Sequence, residues 1–482
     1  MNKKEIENEL SKIVGSKNIF TDEAECFCYR FGNVVEYRLN PPNFMPDFVV
    51  RPGSSEQISA ILKLANKYKI PVVAWGGGTD LSGANSPIKG GILIDMKGIN
   101  NIYIDKYEMT VTAGAGATLK MISEYAEKND LLFEHEITSQ CSATLGGAIA
   151  TNSFGYRSGR YRTIQNLILG MEIVLPTGEI IKTKPLFKTS VGYDIHSLMV
   201  GSEGTLGIIT EATLKLSPKP DKRKIFTYMF NNFEEALNYA KKIYYDIKPD
   251  FFELTELSFI KYIKHSDELL EESFNIKISQ LLKCAGESYP TIMTVGFENK
   301  KEIVEIKEKY LNRIIDKSTG TVDNEFYLKR FIKYHENFRN IINLIPEISL
   351  EKYSYASFDI SMPIKKLKIF VKSVHNITKN YPKVYLIDID LYSSMSVVGL
   401  DYFVPLNNDD YSKLSKEIYK KVIELGGSLS AVHGVGTRLI PYIGDDIGRV
   451  FIEVMNKIKK AIDPNNILNP GKIGDINWKQ IN

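Results

Sequence analysis

Cysteine is scarce in this chain: four among 482 residues, at positions 26, 28, 141 and 284, with no CxxC pair and no dense spacing. That excludes a disulfide scaffold, and it leaves no thiolate set for an iron–sulfur cluster of the chain's own. Long apolar runs are missing too; none approaches the roughly 18 residues that a spanning helix needs. The opening "MNKKEIENELSKIVG" scatters its charges and has no apolar centre, so it reads as an amphipathic helix and not a secretory signal. Neither sign of charge dominates. The 61 basic and 58 acidic side chains are mixed along the chain for a net charge of +3, without the clustered basic footprint of a nucleic-acid binder. A lysine-rich stretch such as "KPDKRK" (219–224) reads as solvated linker. No GxxxxGK[ST] occurs, which excludes a phosphate-loop nucleotide triphosphatase. The compartment expected is the cytoplasm, with peripheral attachment to a membrane left open.

What the chain does have is length and glycine. Its length suits two or three domains. The first 220 residues alternate short β-branched runs with amphipathic helices. In "SSEQISAILKLANKYKI" (54–70) apolar residues at 58, 61, 62 and 65 predict a helix that Ser54 or Ser55 can cap. "GGILIDM" and "EMTVTAGAG" predict strands, "ATLKMISEYAEKN" a helix, and "LILGMEIVLPTGEIIKT" (167–183) a hairpin about a Pro-Thr-Gly turn. After Pro220 glycine thins out, and lysine, tyrosine and isoleucine rise. Helices are predicted in "FEEALNYAKKIYYDI" and "KKEIVEIKEKYLNRIIDK", and strands in "ASFDISMPI" and "KVYLIDIDLYSS". Glycine returns at 426–436, before a helix over 446–462 and the closing "DPNNILNPGKIG". The expected organisation is therefore α+β: one domain over 1–220, a second over 221–425, and a C-terminal segment, 426–482, that returns to the first.

Glycines gather in four segments: "WGGGTDLSGA" (75–84), "AGAGATL" (113–119), "SATLGGAIATNSFGYRSGRYRT" (142–163) and "VGSEGTLGII" (200–209). Such runs permit positive φ and let successive N–H groups approach an anion closely. "GAGATL" follows a predicted strand and opens a helix, but its sixth position is Leu119 and not a small residue, a poor dinucleotide fingerprint. Taken together, the four loops suit a large diphosphate-bearing cofactor lying across several strand ends, a flavin dinucleotide before a small substrate.

The ordered blocks "VVAWGGGTDLSGA", "GILIDMKGINNI", "SATLGGAIATNSFG", "LPTGEII", "GYDIHSLMVGSEGTLGIITEATLKLSP", "VHGVGTR" and "AIDPNNILNPGK" resemble the FAD-linked oxidases related to vanillyl-alcohol oxidase. The nearest branch holds the glycolate oxidase FAD subunit, D-lactate dehydrogenase, D-2-hydroxyglutarate dehydrogenase and alkyldihydroxyacetonephosphate synthase. The resemblance implies an FAD-binding domain of two α/β subdomains and an α+β cap domain with an antiparallel sheet. It implies cofactor contacts at Gly76, Gly77, Gly78, Thr79, Asp80 and Ser82, and at Thr144, Gly146, Gly147, Asn152 and Gly155. Gly204, Gly207 and Ile209 would lie along the adenine and flavin side, and Asn469 near the ring. No histidine or cysteine stands in "WGGGTDLSGA", so FAD is expected to bind without a covalent link.

Oxidising a 2-hydroxy acid requires a base for the hydroxyl proton and a cation for the carboxylate. His433, between Val432 and a Gly-Val-Gly turn, aligns with the histidine of the family's "EHGxG" motif and is the expected base. Arg339 resembles the arginine of the cap-domain "WxxR" motif, with Glu336 where the tryptophan would stand, and is the expected cation. The other histidines, at 135, 196, 265, 335 and 375, have plainer contexts. Arg157, Arg160 and Arg162 are either structural pairs or cations facing substrate or flavin. Relatives carry an "HxGDGNxH" block and a glutamate before the C-terminal histidine, which bind a divalent metal. Here the region reads "YLIDIDLYSSMSVVG" and the glutamate is Val432; Asp388 and Asp390 alone make a poor zinc site, so no metal is expected.

The function expected is oxidation of a small 2-hydroxy acid such as D-lactate or glycolate. Electrons would pass to a quinone, an electron-transfer flavoprotein or an iron–sulfur subunit. The alternative is a non-redox flavin transferase similar to alkyldihydroxyacetonephosphate synthase, in which "GYRSGRYRT" serves a phosphate. A third reading is a flavin-loaded subunit that only relays electrons.

Overall fold

The computed structural model describes residues 2–262, 289–315, 321–322, 352–406 and 409–477. Contacts divide the chain into two compact units, one of residues 1–155, 163–219 and 432–482, the other of residues 156–162 and 220–431.

In the first unit, helix α1 (Lys3–Val14) starts at a capping box: the Asn2 side chain accepts the Glu5 N–H at 3.0 Å and the Glu5 carboxylate accepts that of Asn2 at 2.9 Å. Helix α2 (Ser55–Tyr68) is capped by Ser54, whose hydroxyl accepts the Gln57 N–H. Its helix-spaced Ile58, Ile61, Leu62 and Ala65 are fully buried, each large side chain contributing about 1.5–3 kcal/mol. Strands β1 (Ile19–Phe20), β2 (Phe48–Val50), β3 (Val72–Trp75) and β4 (Ile92–Asp95) form a sheet in the order β1-β2-β4-β3, with β2, β4 and β3 parallel. A second sheet takes β5 (Ile102–Asp105), β6 (Thr110–Gly114), β8 (Ile168–Val174), β9 (Ile180–Lys182) and β10 (Ile208–Lys215) in the order β5-β6-β10-β8-β9. Strands β7 (Leu131–Leu132) and β11 (Ser217–Pro218) pair separately.

The second sheet is antiparallel throughout, which settles the "GAGATL" segment: β6 ends there, yet no parallel crossover follows, as a Rossmann unit would demand. Helices α3 (Leu119–Glu127) and α4 (Leu145–Ala150) follow. One apolar core joins both sheets, from Leu10 and Phe48 to Ile208 and Leu214. The C-terminal segment completes it. Asn469 donates its N–H to the Val72 carbonyl at 2.8 Å, and Val72 donates to Ile467 at 2.7 Å, so this segment continues the edge of β3.

The second unit is built on a seven-stranded antiparallel sheet of β12 (Lys222–Phe230), β13 (Phe251–Glu256), β14 (Thr291–Asn299), β15 (Thr321–Val322), β16 (Tyr353–Ser361), β17 (Tyr385–Tyr392) and β18 (Val397–Pro405). Helices α5 (Phe233–Ile247), α6 (Lys301–Ile314), α7 (Leu367–Thr378) and α8 (Asp410–Glu424) pack on one face. Tyr244 meets Phe252, Lys307 lies over Phe297, His375 meets Glu256, and Tyr411 and Tyr419 meet Phe358. Strand alternation turns Glu253, Asp359, Asp388, Asp390 and Asp401 to the opposite face. Among the described residues no helix is long and apolar enough to cross a membrane.

Because the Ser54 hydroxyl satisfies an otherwise orphan N–H, Ser54→Ala is expected to cost the first unit about 1 kcal/mol and Ser54→Asp much less. Urea unfolding followed by far-UV circular dichroism measures both.

Candidate active site

The first unit holds a cleft of about 210 Å³ that opens to solvent. Its lining includes the loop leaving β3 (Gly76, Gly77, Gly78, Thr79, Asp80), the start of α4 with the residue before it (Thr144, Gly146, Gly147), the stretch leading into β10 (Glu203, Gly204, Gly207, Ile209), and Val432 with His433. Residues far apart in sequence thus share one wall because β3 ends and β10 begins there and the C-terminal segment folds back beside β3.

Two of the glycine loops meet backbone to backbone. A Cβ on Gly77 would overlap the Ser142 carbonyl, one on Gly76 would strike the Thr144 hydroxyl, and one on Gly146 would lie 2.8 Å from the Ala115 Cβ. Gly78 takes φ +70°, and its missing Cβ leaves room for the Trp75 ring. Thr144 occupies the N-cap position of α4, yet its hydroxyl makes no capping bond; it is buried, without a hydrogen-bond partner among the described residues, on the cleft wall. The Asn85 side-chain oxygen, also at the cleft, is buried in the same condition. A crevice lined by side-chain-free backbone with unspent polar groups fits a ligand that presents several acceptors and donors along its length.

Asp80 shapes its own loop. Its carboxylate accepts the Ser82 N–H at 3.1 Å and hydroxyl at 2.7 Å, and the N–H groups of Gly83 and Ala84 at 2.5 and 2.8 Å. Ser82 is off the cleft; its carbonyl accepts the N–H groups of Thr437 and Arg438 at 2.9 and 3.0 Å. Asn469 is likewise a strut, donating its side-chain amide to the Ala84 and Glu203 carbonyls at 2.7 Å each and accepting from Lys472 at 3.0 Å. The Lys472 ammonium, fully buried, also donates to the Ala84 and Ser86 carbonyls, and burial pulls its pKa down to about 8. Glu203 is buried too. Burial pushes its carboxyl up to about 7, with Asp80 adding to the rise, while N–H donors from Val435 and Gly436 and the charge of Lys472 oppose it. The glycines of "VGSEGTLGII" draw attention to its turns; Glu203, the one ionisable side chain in that segment, is the residue sequence reasoning passed over.

Several expected positions lie outside the cleft wall. Asn152, with φ +49°, turns the chain after α4, and Gly155 lies against Glu136. His135 meets the Ser153 hydroxyl at 2.6 Å, His196 the Thr183 hydroxyl at 2.5 Å, and His375 is stacked on Tyr289. Arg339, His265 and His335 lie outside the described residues. Within the second unit, Arg157 is buried in an ion pair with Glu298, and Arg160 pairs with Asp250 at 2.7 Å. Asp388 and Asp390 share a face, as their spacing predicts, and strand pairing adds a third carboxylate: Asp401 stands opposite Asp388, and the three buried groups lie within 4.8 Å of one another. Burial, then the charges of Asp388 and Glu253, hold the Asp390 carboxyl well above the usual range.

The chain resembles known proteins over most of its length. Residues 46–184 match the FAD binding domain family, and residues 219–473 match the family of FAD linked oxidases, C-terminal domain. The chain is 30% identical to D-lactate dehydrogenase of Archaeoglobus fulgidus, covering 97% of this chain and 98% of that one. It is 29% identical to the glycolate oxidase subunit GlcD of Bacillus subtilis, covering 98% and 97%. A solved structure of alkyldihydroxyacetonephosphate synthase superposes with a TM-score of 0.79 at 22% identity, over 98% of this chain and 85% of that one. The fold is therefore the α+β flavoprotein fold of the vanillyl-alcohol oxidase type.

FAD fits the cleft on the observations above. The loops at Gly76–Thr79 and Thr144–Gly147 would hold its diphosphate, and Ile208 and Ile209 offer apolar surface to its rings. Gly77→Ala forces the two loops apart and is expected to weaken FAD binding at least about tenfold while far-UV circular dichroism stays unchanged. Flavin absorbance retained after gel filtration measures it.

Proposed function

We propose that this chain, which belongs to the FAD-linked oxidases, oxidises a small 2-hydroxy acid of the D-lactate or glycolate type to the 2-oxo acid and passes the electrons to an external acceptor. The observation that carries the reading is His433 on the wall of the glycine cleft, in a chain aligned over nearly its whole length with a D-lactate dehydrogenase and a glycolate oxidase subunit. Bound FAD supplies the acceptor for the hydride leaving the substrate's α-carbon. His433 takes the hydroxyl proton at a ring nitrogen, a role suited to an imidazole whose ordinary pKa lies near neutrality. Arg339 clamps the carboxylate through its two-point fork. Among the described residues His433 is the one histidine or cysteine on the cleft wall, and FAD is taken to bind without a covalent link. The acceptor is a quinone, an electron-transfer flavoprotein or an iron–sulfur subunit, and the protein works in the cytoplasm or at a membrane surface.

The transferase reading has a weaker footing. Its phosphate partner was to be the "GYRSGRYRT" arginines, and Arg157 and Arg160 are engaged with Glu298 and Asp250. The relay reading leaves His433 without a task at the cleft.

Anaerobic mixing of the FAD-loaded protein with D-lactate, glycolate and D-2-hydroxyglutarate is expected to bleach the flavin with at least one of them. A flavin that stays oxidised with all three sinks this substrate class; release of a long-chain acid from an acyl phosphate substrate without flavin reduction moves the function to the transferase. His433→Gln is expected to lower kcat/KM by about 10²–10⁴ with FAD still bound, and unchanged turnover removes His433 from the mechanism.

A further inference from the structure

Glu203 does something unusual for a side chain in a glycine-rich turn. It adopts a left-handed backbone, φ +53°, between Gly201 and Gly204, which share that sign, a conformation costly for a non-glycine residue unless its surroundings enforce it. They do. Its N–H donates to the Ala150 carbonyl at 2.9 Å, its own carbonyl accepts the Asn469 amide at 2.7 Å, and the side chain is thereby aimed at the segment after His433.

There the carboxylate accepts two backbone N–H groups, one per oxygen: Val435 at 2.6 Å and Gly436 at 2.9 Å. Gly434 takes φ +79° and has no room for a Cβ, which would strike that carboxylate; Gly436, at φ +52°, closes on the Ser82 carbonyl. The turn that begins one residue past His433 is thus folded around a single buried anion.

We propose that Glu203 is a positioning residue: by clamping the Gly434–Gly436 turn, its carboxylate sets where His433 stands on the cleft wall. The proposal deepens the reading of His433 as the base and rests on it. A carboxylate suits the task better than an amide, because two N–H donors need two acceptor oxygens and charge-assisted bonds are the stronger kind. Glutamine would present one oxygen to one N–H and its own amide to the other. Protonation has a similar effect. With the Glu203 carboxyl near 7, the clamp weakens as pH falls through neutrality. The charged groups facing it are Asp80 from the loop after β3, Lys472 from the C-terminal segment, and His433 beside the turn itself.

The test uses FAD-loaded protein with ring-labelled histidine, in which the His433 resonance is identified by its loss in His433→Gln. Two variants break the clamp from opposite sides: Glu203→Gln removes an acceptor oxygen, and Gly434→Ala drives a Cβ into the intact carboxylate. Either is expected to change the His433 resonance and its titration while the other histidines keep theirs. With a substrate in hand, kcat is expected to fall between about 10- and 100-fold with KM nearly unchanged. In Glu203→Gln the acidic limb of the kcat profile is expected to simplify from two titrating groups to one. A His433 resonance and titration unaltered in the folded variants overturns the proposal; if one variant fails to fold, the other decides. Should no hydroxy acid reduce the flavin, the substrate reading fails, and the His433 titration still passes judgement on the clamp.

Discussion

The architecture of the cleft depends on one close approach: the Gly76–Gly77 backbone lies directly on that of Ser142–Thr144. A side chain at either glycine would hold the loops apart by the thickness of a methyl group, and the cleft wall between them would be made of side chains instead of peptide groups. Close packing leaves nothing free to absorb that displacement. The remaining glycines follow from the same demand. Gly146 fits against Ala115, and Gly207 against Ile173, so that α4 and β10 can both bring their ends to one place. What the sequence displays as scattered glycine runs is one contact surface folded from distant pieces.

Holding those pieces together falls to buried charge. Asp80, half-buried, and Glu203, buried, stand on the cleft wall and Lys472 lies buried behind it, their polar atoms directed at backbone N–H and carbonyl groups of the loops on either side. The arrangement carries a cost that can be signed. Glu203, raised from 4.5 to about 7, adds stability below its unfolded value and loses that contribution as pH rises to about 7. Lys472, lowered from 10.5 to about 8, adds stability above its unfolded value and loses it as pH falls through about 8. Near neutrality, therefore, Lys472 stays largely charged and Glu203 is partly so, each against the preference of its surroundings. A fold selected for stability alone would have used apolar side chains there; charges kept in spite of burial are characteristic of functional sites.

Much of the fold was legible because its signals are local. Ser54, with apolar residues at 58, 61, 62 and 65, is a helix start and face that a single window reveals, and the 167–183 hairpin declares itself by its Pro-Thr-Gly turn. The cleft was legible for a related reason: backbone that must come close is written as glycine. What escaped were contacts that only topology creates. Asp401 joins Asp388 and Asp390 through the β17–β18 pairing, whose bulge between Leu386 and Asp388 sets which residues stand opposite. Ser82 and Asn469 belong to glycine-bearing neighbourhoods but serve as joints behind the wall, since their bonding is spent on carbonyls and N–H groups of other loops. Glu203 escaped because its partners are two peptide N–H groups more than 200 residues downstream, which carry no side-chain signature.

The distribution of charge also bears on the substrate. A 2-hydroxy acid arrives as an anion, and its carboxylate requires a cation, yet among the described residues no lysine or arginine lines the cleft. Lys472 cannot turn toward it, with its three donors committed to Ala84, Ser86 and Asn469. Arg157 and Arg160, the cations nearest in sequence to the cofactor segments, have carboxylate partners of their own in Glu298 and Asp250. With Val432 beside it, His433 has an apolar immediate neighbour that offers an anion neither attraction nor a metal ligand. The hydroxy-acid reading therefore takes its cation from outside the described cleft wall, and Arg339 is the residue proposed for it.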